Sequence, residues 1–358
     1  MNKTFKREIG VLNNKLIGII LLLVFMIIIT SFLDPRFLNP LNIRNILRWT
    51  GLFGILSLGV TFPIITGGID LSIGSVVGLT GTLFPLFIVG YSMNIGLAFV
   101  LVLGLSLLMG LAHGVLITKF NFQPFIATLV GLFIYRGLAR VVTRDVPQGF
   151  GGGRDFASLR FVAQGRIPSA FWSDAPQNIA DWSIPMPFII LIILAIVFSI
   201  FLYRSIYGRY LLALGFNEKA ARFSGINVNR MKTVAYIIST MCAGFAGILF
   251  ALDLNTIQPS AMGNAWELYA IAGVVLGGAS LRGGEANILG VVIAVVIIRA
   301  LFNMVNILGL ATQLEFAILG IVILLGVMMD EYLKKISARR MRIEVSLSSP
   351  DEITQVKA

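Results

Sequence analysis

The stretch TGGIDLSIGS, residues 66–75, sits in one of the most apolar parts of the chain. Residues 49–69 carry no charge, and neither do 71–118 apart from His113, the one histidine. Each flank is long enough for a bilayer span, which takes about 20 apolar residues. A carboxylate in hydrocarbon is costly, and glycine interrupts a helix. The stretch therefore reads as a turn between two spans. Gly67 and Gly68 reverse the chain, and Asp70 accepts from backbone N–H groups of the helix that follows. Proton coupling through Asp70 is the competing reading. Capping outweighs it, because the residue falls between two complete spans.

The pattern repeats along the chain. Of 358 residues, 57% are hydrophobic and 13% charged, about half the charged share of a soluble domain. This is an all-α polytopic membrane protein. About ten spans fit: 16–33, 50–69, 71–90, 95–117, 122–143, 185–203, 233–252, 266–281, 287–306 and 312–329. The net charge of +11 would suit nucleic acid, but its distribution suits a bilayer. Starting inside, the Lys and Arg of 1–15, 204–232 and 331–358, with Lys119 and Arg282, face the cytoplasm. Only Arg36, Arg44, Arg48, Arg144, Arg154, Arg160 and Arg166 fall outside. That bias places both termini in the cytoplasm. The first apolar run is long and lacks an A-x-A cleavage site, so it reads as a retained span.

The expected layout is a cytoplasmic N-terminus at 1–15, a permease domain at 16–330 and a cytoplasmic tail at 331–358. The domain carries an outer loop at 144–184, with Trp172, Trp182 and glycines at 149 and 151–153, and a cytoplasmic loop at 204–232. Residues 34–48 read as a separate short helix on the outer surface. Some spans are broken. Between Glu267 and Arg282 too few uncharged residues remain for a straight crossing, and both flanks are rich in glycine. Interrupted helices mark a transporter core, because non-helical backbone at that depth must be covered by protein or line a cavity. QPFIATLVGL (123–132) resembles QLEFAILGIV (313–322). The two run in opposite directions across the expected topology, as in two inverted halves.

Enzyme chemistry has no purchase here. No G-x-x-x-x-G-K-[ST] cradle occurs, and one histidine with one distant cysteine, Cys242, makes neither a zinc site nor a nucleophilic pair. Cys242 and His113 read as packed core residues, and no metal site is expected. In the 204–232 loop, Asn217 is a good N-cap for a short helix over Glu218 to Phe223, ended by Gly225. Ala220, Ala221 and Gly225 give that helix a small-residue face suited to docking in a groove of a soluble partner.

TGGIDLSIGS, QPFIATL, GFNEKAARFSGINVNRMK and ELYAIAGVVLGGASLRGGEANILG, in this order, resemble the ribose-type sugar permease family of bacterial ABC importers. The likeness covers about 41–332. It implies a ten-helix fold in two inverted halves, like the vitamin-B12-importer permeases. It also implies a half-transporter in the inner membrane that pairs with a second permease subunit, identical or not. Cytoplasmic ATPase subunits would hold the ATP and Mg, leaving no cofactor in this chain. A periplasmic or lipid-anchored binding protein would deliver the sugar. Carried over by position, Asn217, Glu218, Ala220, Ala221, Arg222 and Gly225 match the helix that couples to the ATPase. Gly67, Gly68, Asp70 and Ser72 match one glycine-rich break, and Gly277, Gly278, Gly283 and Gly284 match the second. Phe125, Glu267, Arg299, Asn303 and Glu315 are candidates for the translocation path. The chain departs from the family at His113-Gly114 and at Phe302-Asn303-Met304, and in carrying Arg299 and Glu315.

The expected function is ATP-driven import of a monosaccharide. The same scaffold carrying a nucleoside, polyol, branched-chain amino acid or furanosyl signalling molecule is an alternative, and an ion-coupled carrier is a more distant one. A non-transporting receptor would need neither broken helices nor a coupling loop. Arg299 falls near the middle of its span and is costly there unless paired or hydrated. An ion pair with Glu315, at similar depth in the next span, and snorkelling or pairing with backbone carbonyls are the two expectations for it.

Overall fold

A computed structural model describes residues 3–151, 156–168, 182–321, 324 and 328, with side chains from residue 16 onward. Gly152, Gly153, Trp172 and the tail at 331–358 lie outside the described residues. The chain forms two compact units, Met1–Thr312 and Gln313–Ala358.

The first unit is a helical bundle. Its helices are α1 Lys3–Leu33, α2 Pro40–Ile65, α3 Ile73–Pro85, α4 Ile95–Thr118, α5 Pro124–Thr143, α6 Ala157–Gln164 and α7 Met186–Arg204. They are followed by α8 Ile206–Phe216, α9 Glu218–Phe223, α10 Val228–Leu254, α11 Trp266–Leu276 and α12 Ile288–Ile307. Among the described residues, eight helices are long and apolar enough to cross a membrane, so the protein is a polytopic membrane protein.

One of the ten expected spans comes out short. Residues 266–281 yield α11, with 11 residues. At 1.5 Å per residue it reaches about 16 Å, roughly half the hydrocarbon thickness. Within 312–329, the described helix is Thr312–Ile321. The separate surface helix expected over 34–48 is also corrected. Pro35–Leu38 is a 3₁₀ turn capped by Asp34, and α2 starts at Pro40 and runs unbroken to Ile65. Asn39 accepts from the Leu41 amide, and Pro40 occupies the first helical position, where its missing N–H costs nothing. Arg44 and Arg48 interrupt the apolar run without interrupting the helix.

The core sits around α2 and α10, which are mostly buried, whereas α1, α4, α5 and α7 leave broad apolar faces exposed. α10 packs against α4, α3 and α2. Small residues bring these backbones together. A β-carbon added at Gly59 would stand 2.6 Å from the Cys242 side chain, and one at Gly110 would stand 2.6 Å from Cα of Ile237. Two short antiparallel pairs tie the 144–184 segment down. Gln148–Gly149 pairs with Thr256–Ile257, and Arg166–Ile167 pairs with Ile184–Pro185.

Candidate functional site

Two glycine turns and one helical glycine from distant parts of the sequence meet at one end of the bundle. α2 ends at Ile65, and Gly67 follows with φ +77°. The break between α11 and α12 carries Gly278, Gly283 and Gly284 at φ +92°, +88° and +82°. Its Gly284 N–H donates to the Ile65 carbonyl at 2.9 Å, joining the two breaks. Gly215, near the end of α8, lies between them. A β-carbon there would overlap the Ile65 oxygen and the Gly284 nitrogen. A β-carbon at Gly283 would stand 2.9 Å from both the Gly215 oxygen and the Gly67 nitrogen. Tyr203 on α7 braces the same break by donating to the Ala286 carbonyl at 2.9 Å. Gly277 lies further along, where its own added β-carbon would meet the Val291 backbone of α12 at 2.6 Å.

Gly215 is followed within two residues by the short helix α9. Asn217 caps it, its side-chain oxygen accepting from the Ala220 amide at 3.0 Å, and Gly225 turns the chain out at φ +81°. Glu218 ties α9 to the start of α10 through Lys232 at 2.8 Å, with Arg222 at 3.4 Å. Partial burial raises the Glu218 pKa, but the hydrogen bond and charge of Lys232, helped by Arg222, outweigh it and hold the carboxyl below its ordinary value. The expected small-residue face is split. Ala220 and Gly225 are exposed, but Ala221 is 4% exposed and faces its own chain. The outward surface instead carries Phe216 and Phe223, 83% and 91% exposed.

Asp70 is fully buried. Its Oδ1 accepts from the Ser72 amide at 2.9 Å and the Ser72 hydroxyl at 2.6 Å, and its Oδ2 accepts from the Ser239 hydroxyl of α10 at 2.7 Å. The carboxylate thus closes the turn before α3 and also fixes that turn to α10. Around it lies a buried polar group: His113 bonds Tyr135 at 3.1 Å, and Gly68 leaves room for the Tyr236 hydroxyl.

The path candidates are spread over several elements. Phe125 is half exposed at the start of α5. Both ends of the Asn303 amide are engaged by Asn42 of α2, at 2.9 and 2.6 Å. The Arg299 guanidinium lies over the rings of Phe53, Phe302 and Tyr269 at 3.7, 4.7 and 5.4 Å from their centroids. Glu267 opens α11, where its charge suits the helix dipole. Glu315 belongs to the second unit, within the helix Thr312–Ile321. Among the described residues, no group of three or more His, Cys, Asp or Glu could hold a metal.

Gly215, Ser239, Phe216 and Phe223 are the functional candidates that sequence reasoning passed over. Gly215 is the first residue of the motif GFNEKAARFSGINVNRMK, and two phenylalanines flanking a capped polar turn were the available signal.

A family model described as "Branched-chain amino acid transport system / permease component" matches residues 42–327. The ribose import permease protein of Bacillus subtilis (strain 168) is 38% identical over 315 residues, 88% of this chain and 92% of the relative. That of Escherichia coli (strain K12) is 37% identical over 311 residues, 86% and 91% of the two chains. The xylose transport system permease protein of Haemophilus influenzae is 31% identical over 366 residues, 89% and 96%. No solved structure matches the chain. Matched along most of its length by the family model and almost end to end by these permeases, the chain belongs to the ribose-type sugar permease family of bacterial ABC importers.

Proposed function

We propose that this chain is the membrane-spanning subunit of an ATP-driven importer that moves a monosaccharide, most simply a pentose, into the cytoplasm. The observation that carries the reading is the contact between Gly215 and the two helix breaks at Ile65 and Gly284. It connects an outward-facing short helix to the interrupted part of the bundle. The ribose and xylose permeases among the relatives support the sugar class.

In this reading both termini and α9 face the cytoplasm, and the fold is a ten-helix, vitamin-B12-importer-like arrangement of two inverted halves. Eight long helices and the two short ones are compatible with that count. Two permease subunits form the pore. A separate ATPase binds ATP and Mg and docks on α9, with Phe216 and Phe223 in its groove. An extracytoplasmic binding protein delivers the sugar. The permease itself catalyses no chemical step.

Reconstitution tests this. The permease, its cognate ATPase and binding protein, placed in proteoliposomes, should take up labelled ribose or xylose only with ATP. Uptake driven by an ion gradient without ATP would replace the reading with an ion-coupled carrier. ATP-dependent uptake of a nucleoside, polyol or branched-chain amino acid in place of a pentose would keep the machine and change the cargo.

A further inference from the structure

A polar cleft of about 400 Å³ opens where α2 begins. Sites for small ligands measure about 300–1,000 Å³. Leu41, Arg44, Asn45 and Arg48 form one wall, from the first turns of α2. Gln164, Arg166 and Pro185 form the other. Three of these residues are arginines, and among the described lining residues none is acidic.

The second wall is fixed by its backbone. Arg166–Ile167 pairs with Ile184–Pro185, and the Met186 amide donates to the Gly165 carbonyl at 2.9 Å. Gln164 ties this wall to the end of α10 by donating to the Asp253 carbonyl at 2.6 Å. On the first wall, Arg48 is held by the buried Asp253 carboxylate at 3.4 Å and lies 5.6 Å from the centroid of the Trp49 ring.

Depth decides what the cleft meets. Residues 49–65 of α2 carry no charge, and the helix ends at Ile65. From Arg44 to Ile65 it rises about 31 Å, against about 30 Å for the hydrocarbon of a bilayer. The arginines therefore stand at the headgroup level of the leaflet opposite the glycine turns. Just inward of them α2 packs on α7: a β-carbon at Gly51 would overlap the Pro187 backbone, and one at Gly54 would meet Leu191 at 2.6 Å. The cleft thus sits at the mouth of the groove between α2 and α7. Over its next turns α7 exposes Ile192, Ile193, Ile196, Val197 and Ile200. A ligand with a phosphate at one end and hydrocarbon at the other matches this succession of surfaces. Guanidinium grips phosphate through paired hydrogen bonds. An acidic side chain of a soluble protein would match the charge and leave the apolar flank uncovered.

We propose that this cleft binds the headgroup phosphate of one anionic phospholipid, whose acyl chains lie along the exposed face of α7. A zwitterionic lipid is disfavoured, because its ammonium would be brought among three guanidiniums. The site is independent of which cargo the permease carries.

The test titrates the purified full-length permease in detergent with phosphatidylglycerol or phosphatidylcholine of the same chains and counts retained lipids by native mass spectrometry. The wild type should hold one phosphatidylglycerol about tenfold more tightly than phosphatidylcholine, the worth of one charged hydrogen bond. Arg44→Gln and Arg166→Gln should each reduce that preference severalfold and leave phosphatidylcholine binding unchanged. Arg36→Gln, in a residue paired to Asp34 outside the cleft, should leave the preference intact. Arg44→Lys and Arg166→Lys keep the charge, lose the planar fork and should give an intermediate preference. They carry the test if a glutamine variant does not elute from gel filtration as the wild type does. Equal retention of the two lipids by the wild type, or a wild-type preference in every cleft variant, would overturn the proposal. So would an equal loss in Arg36→Gln, which marks diffuse surface charge. Displacement of phosphatidylglycerol by an equal concentration of inorganic phosphate would overturn the lipid assignment in favour of a free anion. Cleft variants that keep the lipid preference but no longer capture the binding protein would overturn it in favour of a soluble acidic partner.

Discussion

Gly215 and Ile65, 150 positions apart, are packed backbone to backbone, with no room for a methyl group between the glycine α-carbon and the Ile65 oxygen. The same oxygen accepts from Gly284, so one carbonyl is the meeting point of the α8–α9 segment and both helix breaks. Gly215→Ala should force these segments apart. Overpacking of this kind costs about 1–3 kcal/mol, and the backbone on both sides leaves little room to give. The expected outcome is a lowered thermal midpoint in detergent and uncoupling, with ATP hydrolysis retained and sugar uptake lost. Gly225→Ala, at a position with open space but φ +81°, should cost only about 1 kcal/mol of local strain. Full coupling in Gly215→Ala would show that this contact transmits nothing.

Asp70 separates charge from hydrogen bonding. Asp70→Asn keeps one acceptor for the Ser72 amide, and its NH₂ can donate to a Ser239 hydroxyl that turns to accept. Folding and uptake should largely survive. Asp70→Leu strands the Ser72 amide and two hydroxyls in the core and should cost about 3 kcal/mol or more. Loss of uptake in a well-folded Asp70→Asn protein would show that the charge itself works in transport.

How far the sequence carried can be judged at particular residues. The break at 66–72 and the shortness of α11 were legible because glycine and charge interrupt apolar runs, and run length against bilayer thickness is a local measure. The capped helix at 218–223 was legible because Asn217 and Gly225 act on their own neighbours. The extent of α2 was not, because Arg44 and Arg48 mask a helix that hydropathy alone begins too late. Gly215 was not legible either: what it touches lies 150 residues before it and 69 after it, and no periodicity encodes that. Ala221 was assigned to the outer face by size, but a six-residue helix carries too few apolar positions to show which side faces the chain.

The outward face of α9 makes its own prediction. Phe223→Asp and Phe216→Asp put charges where two exposed rings now stand. Each should weaken pull-down of the ATPase by about tenfold, on the scale of an aromatic hot spot. Thermal stability of the permease alone should change by less than about 0.5 kcal/mol, since the rings touch little of their own chain. Ala221→Trp should behave oppositely, destabilising the permease before any partner is added.

Acid should loosen α9. The Glu218 carboxyl is held below its ordinary value of 4.5 by Lys232 and Arg222 against the opposing effect of burial. A lowered folded pKa means that the tie to α10 is complete above that value and is lost as pH falls through the lower one. The pair is partly exposed, so its worth is at most about 1 kcal/mol. Hydrogen exchange over 217–228, corrected for intrinsic rates, should show protection falling between pH 5 and about 3. Glu218→Gln should show the acid level of protection at every pH. Equal protection in the two proteins at pH 7 would mean that the tie contributes nothing.

Arg299 is held over Phe53, Phe302 and Tyr269, with the Phe53 ring only 3.7 Å from its guanidinium carbon. A desolvated cation–π contact contributes about 2 kcal/mol. Three rings around one planar cation also favour arginine over lysine, whose compact ammonium cannot stack. Arg299→Lys should therefore lower the thermal midpoint although the charge is kept. Arg299→Met, which removes the charge and retains much of the apolar contact, should separate stability from transport: near wild-type folding with slowed uptake would mean that the cation serves the path. An ion pair with Glu315 makes a different forecast. Arg299→Glu and Glu315→Arg would each be damaging alone, and the exchange of both would restore stability to within about 1 kcal/mol of the wild type. Ring stacking gives no such rescue, because glutamate over three aromatic faces meets their negative quadrupoles. The double exchange thus decides between the two sources of stabilisation in one measurement.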